Sequence, residues 1–253
     1  MEVDDRRTPD DELGPQIAAG RDATIHDAGP GRVLRRTAPE RDLRGESEAM
    51  EHVRAAGYPV PVVHRVGPGE QVLERVDGPT MLADLEAHPW RVGAHARLLG
   101  DLHARLHRIG APTGLRPYEL EGDVVLHLDL HPGNVILAER GPVVIDWTNA
   151  RRGPAAADVA LSWILMGAFE LDQEPLTGGP ARRLVGRAER AAIPRIRRRL
   201  VRTFLAASGV ADEARALLGP VAEVRLADRN VRPGEATAIR ELVARHAAEP
   251  TST

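Results

Sequence analysis

The chain has 253 residues, which is long enough for one large domain or two small lobes around a substantial core. Its formal net charge is −3. The chain therefore lacks the excess of positive charge that would indicate a nucleic-acid or membrane partner. The absence of cysteine excludes disulfides, cysteine–zinc sites and a thiol nucleophile. The N-terminal residues are acidic and polar, unlike a signal peptide, and the longest apolar run, at 159–169, is too short to span a bilayer. We therefore expect a cytoplasmic protein.

Short strands and one helix are predicted for the first third of the chain. Residues 1–14 are interpreted as a disordered or loosely held tail. A glycine–proline–glycine turn at 29–31 separates two β-like runs, and a helix is predicted over 46–57, where Gly57 is a plausible end. The β-like runs are 16–20, 21–27, 32–37, 58–67 and 70–76. Residues 15–76 therefore have the predicted order β-β-β-α-β-β.

Helix predominates after residue 77, where we place a domain boundary. The predicted domains are an N-terminal lobe at 15–77 and a C-terminal lobe at 78–253. A long amphipathic helix is predicted over 90–110. Two short strands, at 135–138 and 142–146, are expected to form a hairpin, and helices follow to the end of the chain.

The sequence HLDLHPGN, at 127–134, concentrates polar groups that occur in catalytic sites. In an extended segment, His127, Asp129 and His131 would face one way and the leucines between them the other way. A proline–glycine pair then predicts a turn. The two histidines are candidate metal ligands, and the structural alternative is that they bind loop backbone groups.

Three oxygen-bearing side chains belong to this part of the chain: Asp129, Asn134 and Asp146. Asp146 ends the second hairpin strand, which would bring it close to Asn134. Oxygen ligands suit Mg²⁺, which usually takes one or two protein ligands and completes its shell with water and phosphate. A further carboxylate without a metal to bind suits a base that accepts a hydroxyl proton.

The motif resembles that of the aminoglycoside phosphotransferase/choline kinase-like family, which has a protein-kinase-like fold. The resemblance rests on HLDLHPGN, on IDWTNARRG at 145–153, and on Asp158, twelve residues after Asp146. It implies an α+β, two-lobed fold with a small antiparallel-sheet N-lobe and a mostly helical C-lobe. A cleft between the lobes would bind the Mg²⁺–nucleotide.

The resemblance also implies a role for each polar residue of the motif. Asp129 would be the catalytic base that orients and deprotonates the attacking hydroxyl. Asn134 and Asp146 would hold Mg²⁺ against the phosphates. Support of the loop would come from three structural side chains: His127, His131 and Asp158.

The nucleotide site is expected in the N-lobe. The family normally has a lysine on the third strand, but this sequence contains no lysine and has Arg35 there, with Arg36 as the alternative. Arginine binds phosphate through a planar fork and is not interchangeable with lysine. The expected partner is Glu46, with Glu48 as the alternative. Three further residues are expected to meet the phosphates or the purine: Gly20, Glu74 and Val76.

The function implied is transfer of the γ-phosphoryl group of ATP or GTP to a hydroxyl of a small molecule, with Mg²⁺ as cofactor. The missing lysine leaves open a nucleotide-binding pseudokinase or scaffold. A second alternative is a metallohydrolase with a transition metal at His127, Asp129 and His131. The expected partners are a nucleotide and a small-molecule acceptor, with neither nucleic acid nor membrane. Oligomeric state and acceptor identity are not predicted.

An arginine-rich segment lies at 181–202 and contains nine arginines and one acid. We favour a solvated basic helix, and a nucleic-acid patch is the alternative. The segment does not suit a polycationic aminoglycoside acceptor unless nearby carboxylates bind it. The candidates for that role are Glu170, Asp172 and Glu174.

Overall fold

The computed structural model describes residues 14–20, 23–168, 180–229 and 231–247, without the side chains of 180–192 and 247. The described residues fall into two compact units. The first unit lies within Met1–Gly78 and Ile136–Thr148, and the second within Pro79–Val135 and Asn149–Thr253. The predicted tail at 1–14 falls almost entirely outside the described residues.

Nine strands and eight α-helices are assigned in the described part of the chain. The strands are β1 Gln16–Ala19, β2 Thr24–Asp27, β3 Arg32–Arg36, β4 Val63–Gly67, β5 Glu70–Glu74, β6 Val124–Leu126, β7 Val135–Ala138, β8 Gly141–Val144 and β9 Arg151–Gly153. The helices are α1 Arg44–Ala55, α2 Met81–Ala87, α3 Val92–Leu106, α4 Ala155–Ala168, α5 Pro180–Ser208, α6 Ala211–Ala216, α7 Leu218–Leu226 and α8 Pro233–Ala247. Short 3-10 turns lie at Pro89–Arg91 and Pro132–Asn134.

The first unit is built on a five-stranded antiparallel sheet in the order β1-β2-β3-β5-β4. Helix α1 buries Ala49, Met50 and Val53 at helical spacing. The hairpin of β7 and β8 belongs to the same unit, and Val144 donates its N–H to Pro59 O. Gly78 permits a close approach to this hairpin, because a Cβ at Gly78 would lie 2.5 Å from Leu137 O.

The second unit is mostly helical, and α4 lies at its centre. Most of the α4 side chains are buried, including Trp163 and Ile164, and the helix contacts α5, α6, α7 and α8. Helix α3 packs closely on α5, because Gly100 has no side chain. A Cβ at Gly100 would stand 2.5 Å from the Cβ of Ala207. Strands β6 and β9 form a small antiparallel pair at one side of this core.

The predicted fold class is confirmed: an antiparallel sheet with one helix, followed by a mostly helical part. Several boundaries differ. The strand predicted over 58–67 begins only at Val63, because Pro59 and Pro61 have no N–H to donate to a ladder. The helix predicted over 90–110 spans Val92–Leu106, and the second hairpin strand ends at Val144. The pairing of β6 with β9 was missed, because each strand has only three residues.

No helix in the described ranges is both long enough and apolar enough to cross a membrane.

Candidate active site

The Asp129 loop, which comprises residues 127–134, begins directly after β6 in the second unit. The predicted extended conformation is wrong at Leu128, whose φ of 60° is in the left-handed region. Side chains therefore do not simply alternate there. His127 is fully buried, whereas the side chains of Asp129 and His131 are 27% and 32% exposed. The left-handed turn thus separates a buried imidazole from an accessible carboxylate.

Asp158, in the first turn of α4, binds the start of this loop. Its buried carboxylate accepts the N–H of His127 at 3.0 Å and the N–H of Leu128 at 2.7 Å. It also accepts a hydrogen bond from His107 Nε2 at 3.0 Å. Burial raises the pKa of Asp158, but the His107 hydrogen bond and the nearby imidazoles outweigh it, so the pKa lies well below the usual range. The carboxylate therefore holds the two N–H groups that flank the strained turn.

A second contact, absent from the predicted site, holds the loop on the other side of Asp129. Ser162, one turn after Asp158 on α4, donates its hydroxyl to Leu130 O at 2.8 Å. His103 Nε2 lies 2.9 Å from the same hydroxyl oxygen, and its Nδ1 donates to Leu99 O at 2.9 Å. Burial lowers the pKa of His103 to about 4. The periodicity of the apolar α4 sequence gave no signal for this serine.

Within the loop, Asn134 and Asp129 are directly connected. The Asn134 amide nitrogen donates to Asp129 O at 2.9 Å and to Asp129 Oδ2 at 3.1 Å. The Asn134 amide oxygen is then the group that can accept a hydrogen bond or coordinate a metal ion. This geometry fixes the orientation of the Asp129 carboxylate, which was predicted as the base.

Both loop histidines bind the loop's own backbone. His127 Nδ1 accepts the N–H of Asp129 at 3.2 Å, and His131 Nδ1 accepts the N–H of Gly133 at 3.0 Å. His131 Nε2 stands 3.6 Å from Asp129 Oδ1. Among the residues that the structure describes, no group of three or more His, Asp or Glu side chains is arranged to hold a metal ion. Both Nδ1 atoms are thus directed toward backbone N–H groups of the loop.

In the first unit, Asp146 follows β8 in a strained conformation. Its φ is 63°, and its side chain is 45% exposed. The next residue, Trp147, is fully buried; its Nε1 donates to Val144 O, and its ring packs edge-on against Tyr58. Burial of the large indole anchors the chain there and leaves the Asp146 carboxylate accessible.

Arg35 lies on β3 and is bound by several side chains of the first unit. Its Nη1 donates to Glu46 Oε1 at 2.7 Å and to Gln71 Oε1 at 3.1 Å. Its Nη2 donates to Thr148 Oγ1 at 2.7 Å and lies 3.7 Å from Asp146 Oδ1. We call these five residues the Arg35 network. Gln71 and Thr148 were not predicted, because nothing in the local sequence connects residues 36 and 113 positions from Arg35.

Arg36 and Glu48, the alternatives to Arg35 and Glu46, do not contact each other in this way. Arg36 points to the opposite face of β3 and makes an ion pair with Glu70 at 2.8 Å. Glu48 is exposed on α1. The strand alternation that separates Arg35 from Arg36 therefore directs only Arg35 toward Glu46 and Asp146.

The predicted hinge, residues 74–76, lines a shallow surface cavity of about 350 Å³ together with 77 and 138–140. Glu74 is held on both carboxylate oxygens: Oε2 accepts the N–H of Val62 at 3.1 Å, and Oε1 pairs with Arg140 at 2.9 Å. Val76 is half-buried beside it. Gly20 donates its N–H to Ala23 O at 2.8 Å and so closes the β1–β2 connection, of which residues 21 and 22 lie outside the described part.

The arginine-rich segment forms the first part of α5. Four arginines with described side chains are exposed: Arg195, Arg198, Arg199 and Arg202. Arg197 is half-buried, and burial together with nearby Arg245 lowers its pKa. The side chains of 181–192 lie outside the described residues, as do Glu170, Asp172 and Glu174, so a solvated basic helix stays a prediction.

The five-stranded sheet with its single helix, and the Asp129 loop on a helical unit, are the parts of a protein-kinase-like phosphotransferase. The model of the phosphotransferase enzyme family APH matches residues 15–123 and 115–197. The chain belongs to this phosphotransferase enzyme family. No curated protein matches the sequence.

Two solved structures share the fold at low sequence identity. One is a choline/ethanolamine kinase family protein from Mesorhizobium loti, with a TM-score of 0.60 and 18% identity over 94% of this chain and 89% of that chain. The other is a thermostable mutant of the aminoglycoside phosphotransferase APH(4)-Ia in a ternary complex with AMP-PNP and hygromycin B. Its TM-score is 0.56, with 14% identity over 94% of this chain and 95% of that chain.

Proposed function

We propose that the protein transfers the γ-phosphoryl group of Mg²⁺–ATP to a hydroxyl of a small molecule. The observation that carries the proposal is the hydrogen bonding of the Asp129 loop. Asn134 donates to the Asp129 carboxylate, and Asp158 accepts the two backbone N–H groups at the start of the loop. Phosphoryl transfer needs little covalent chemistry from the protein, so a rigidly placed base and fixed charges account for most of the catalysis. ATP is the proposed donor, and GTP is an alternative for the donor test.

Asp129 is the proposed base. Its carboxylate is partly exposed, and one oxygen accepts the Asn134 amide. A partly exposed carboxylate in this position can accept the proton of an incoming hydroxyl. The pairing leaves the carboxylate with a defined direction, which an isolated surface aspartate lacks.

Asn134 and Asp146 are the proposed magnesium ligands. The Asn134 amide nitrogen is occupied by Asp129, which leaves its oxygen for coordination. The Asp146 carboxylate is the more exposed of the two acids in the Arg35 network. Both supply oxygen, the ligand type that Mg²⁺ prefers. Bound Mg²⁺ would supply charge neutralisation at the phosphates.

The acceptor class is proposed only as a hydroxyl-bearing small molecule. The two structural neighbours are a choline/ethanolamine kinase family protein and an enzyme crystallised with hygromycin B. Choline, ethanolamine and hygromycin B are therefore the first members of an acceptor panel. Exposed arginines of α5 disfavour polycations in any acceptor site that they border.

A pseudokinase is the second candidate, and one observation favours it. Three N–H groups of the Arg35 guanidinium already donate to protein side chains, which leaves fewer of them to bind a phosphate. A pseudokinase would bind Mg²⁺–ATP but would transfer nothing to any acceptor of the panel.

The test is thermal unfolding of the protein alone, with Mg²⁺, with Mg²⁺–ATP and with Mg²⁺–GTP. A ligand that binds only the folded state at a hundredfold excess over its Kd stabilises by about 2.7 kcal/mol. We expect Mg²⁺–ATP to raise the melting temperature of the wild-type protein. Asp146→Ala should abolish this rise, whereas Glu48→Ala should retain it, because Glu48 is exposed. No rise with either nucleotide would overturn the proposal, and a rise without turnover would support the pseudokinase.

A further inference from the structure

Arg35 binds three acceptors through N–H groups on two nitrogens, Nη1 and Nη2, which the single ammonium nitrogen of a lysine cannot reproduce. Its three acceptors come from three different segments: Glu46 on α1, Gln71 on β5 and Thr148 beyond β8. Gln71 is directly opposite Arg35 in the β3–β5 register. Arginine has five donors in a rigid plane, whereas lysine has three donors on one nitrogen. The acceptors therefore match the shape of a guanidinium.

Gln71 is itself held in one orientation. Its amide nitrogen donates to Ser47 Oγ at 2.7 Å, and Ser47 donates to Leu43 O at 2.9 Å. Gln71 is completely buried, and Ser47 is 4% exposed. A buried amide is costly unless its groups are bonded. Because Ser47 takes the nitrogen, the amide oxygen must face Arg35.

The positions of the acceptors show which edge of the guanidinium they occupy. Glu46 Oε2 lies 3.2 Å from Thr148 Oγ1, so these two acceptors stand side by side opposite Nη1 and Nη2. The remaining N–H groups, on Nε and on the outer side of Nη2, have no hydrogen-bond acceptor among the described residues. Asp146 Oδ1, 3.7 Å from Nη2, lies just beyond hydrogen-bond range. Such a side-on N–H pair fits two oxygens of one phosphate.

We propose that Glu46, Gln71 and Thr148 form an arginine-specific cradle that presents the Nε/Nη2 edge of Arg35 to a phosphate of the nucleotide. Gln71 and Thr148 are positioning residues, since they act through Arg35. The identity of the ligand as a nucleotide phosphate rests on the proposed function. A lysine at position 35 keeps the charge, but it has no fork and leaves cradle acceptors without donors.

The test is a double-mutant cycle of Arg35→Lys and Gln71→Met, with the Kd of Mg²⁺–ATP measured by calorimetric titration. Arg35→Lys should weaken binding about 10- to 100-fold, as expected for loss of charged hydrogen bonds. Gln71→Met should weaken it about tenfold with Arg35 present and less than twofold in the Arg35→Lys background. Arg36→Lys is the matched control on the same strand and should change Kd less than twofold.

Two results would overturn the cradle. One is an equal loss from Gln71→Met in both backgrounds, which would indicate a merely structural glutamine. The other is wild-type affinity in Arg35→Lys. If the wild-type protein binds no Mg²⁺–ATP, the proposed function fails, and the cycle is then measured as melting temperatures. Gln71→Met breaks the Gln71–Ser47 bond in either background, so the cradle predicts a larger fall in melting temperature with Arg35 present than in the Arg35→Lys background, and equal falls would overturn it.

Discussion

Replacement of Asp158 by asparagine tests the support of the Asp129 loop. The carboxylate accepts three hydrogen bonds in a fully buried position, from His127 N–H, Leu128 N–H and His107 Nε2. An asparagine side chain keeps one oxygen and turns an NH₂ group toward the other donors. His107 cannot compensate by exchanging its proton, because its Nδ1 is buried and has no hydrogen-bond partner within the described residues.

The expected loss follows from the number of broken bonds. Hydrogen bonds to a charged group contribute about 1.5–3 kcal/mol each. In Asp158→Asn at least one of the three bonds is lost, and one of the three donors then faces the NH₂ group of the asparagine. We expect Asp158→Asn to lower the free energy of unfolding by about 3 kcal/mol. For a chain of this size, that corresponds to a melting temperature roughly 6–12 °C lower.

The effect should also depend on pH. Because the folded-state pKa of Asp158 is depressed, its stabilisation is fully present above the unfolded value of about 3.9. It is lost as pH falls through the lower folded-state pKa. The difference between wild type and Asp158→Asn should therefore be constant from about pH 8 to pH 5 and shrink below about pH 4.

Thermal and urea unfolding followed by circular dichroism measure this difference. The control is Asp101→Asn, since Asp101 is exposed on α3. A loss below about 1 kcal/mol, or a loss equal to that of the control, would refute the assigned role of the Asp158 hydrogen bonds.

Two further changes test other contacts of the second unit. Ser162→Ala removes the hydroxyl that binds Leu130 O, so we expect a lower kcat for phosphoryl transfer with little change in the KM of Mg²⁺–ATP; a change in KM alone would contradict a positioning role. Gly100→Ala places a Cβ 2.5 Å from that of Ala207 and should destabilise the α3–α5 contact by about 1–3 kcal/mol in urea unfolding. The control Gly114→Ala has open space around it and should be near neutral, and equal losses would show that the α3–α5 approach is not responsible.

The sequence carries much of the fold, because its signals are local. The alternation of β3 separates Arg35 from Arg36, and the helical spacing of Ala49, Met50 and Val53 marks the buried face of α1. The proline-containing strand was predicted too long, since Pro59 and Pro61 lie outside the ladder. Local pattern thus predicts which elements exist better than where they end.

The contacts that shape the candidate site are long-range, and local pattern cannot show them. Ser162 meets Leu130 across 32 residues, and Thr148 meets Arg35 across 113. The left-handed turn at Leu128 could not be inferred either, because leucine rarely adopts a positive φ without tertiary support. Here the support is the Asp158 carboxylate, which the sequence suggested only through a resemblance.

The most direct test of the phosphotransferase assignment compares wild type with Asp129→Asn for ADP release from Mg²⁺–ATP in the presence of the acceptor panel. The variant keeps the shape of the side chain but removes the base. The account predicts acceptor-dependent turnover in the wild type and a turnover rate at least about a hundredfold lower in the variant. The variant should bind Mg²⁺–ATP with the same affinity as the wild type. Turnover by the variant at the wild-type rate would contradict the role of Asp129 as the base.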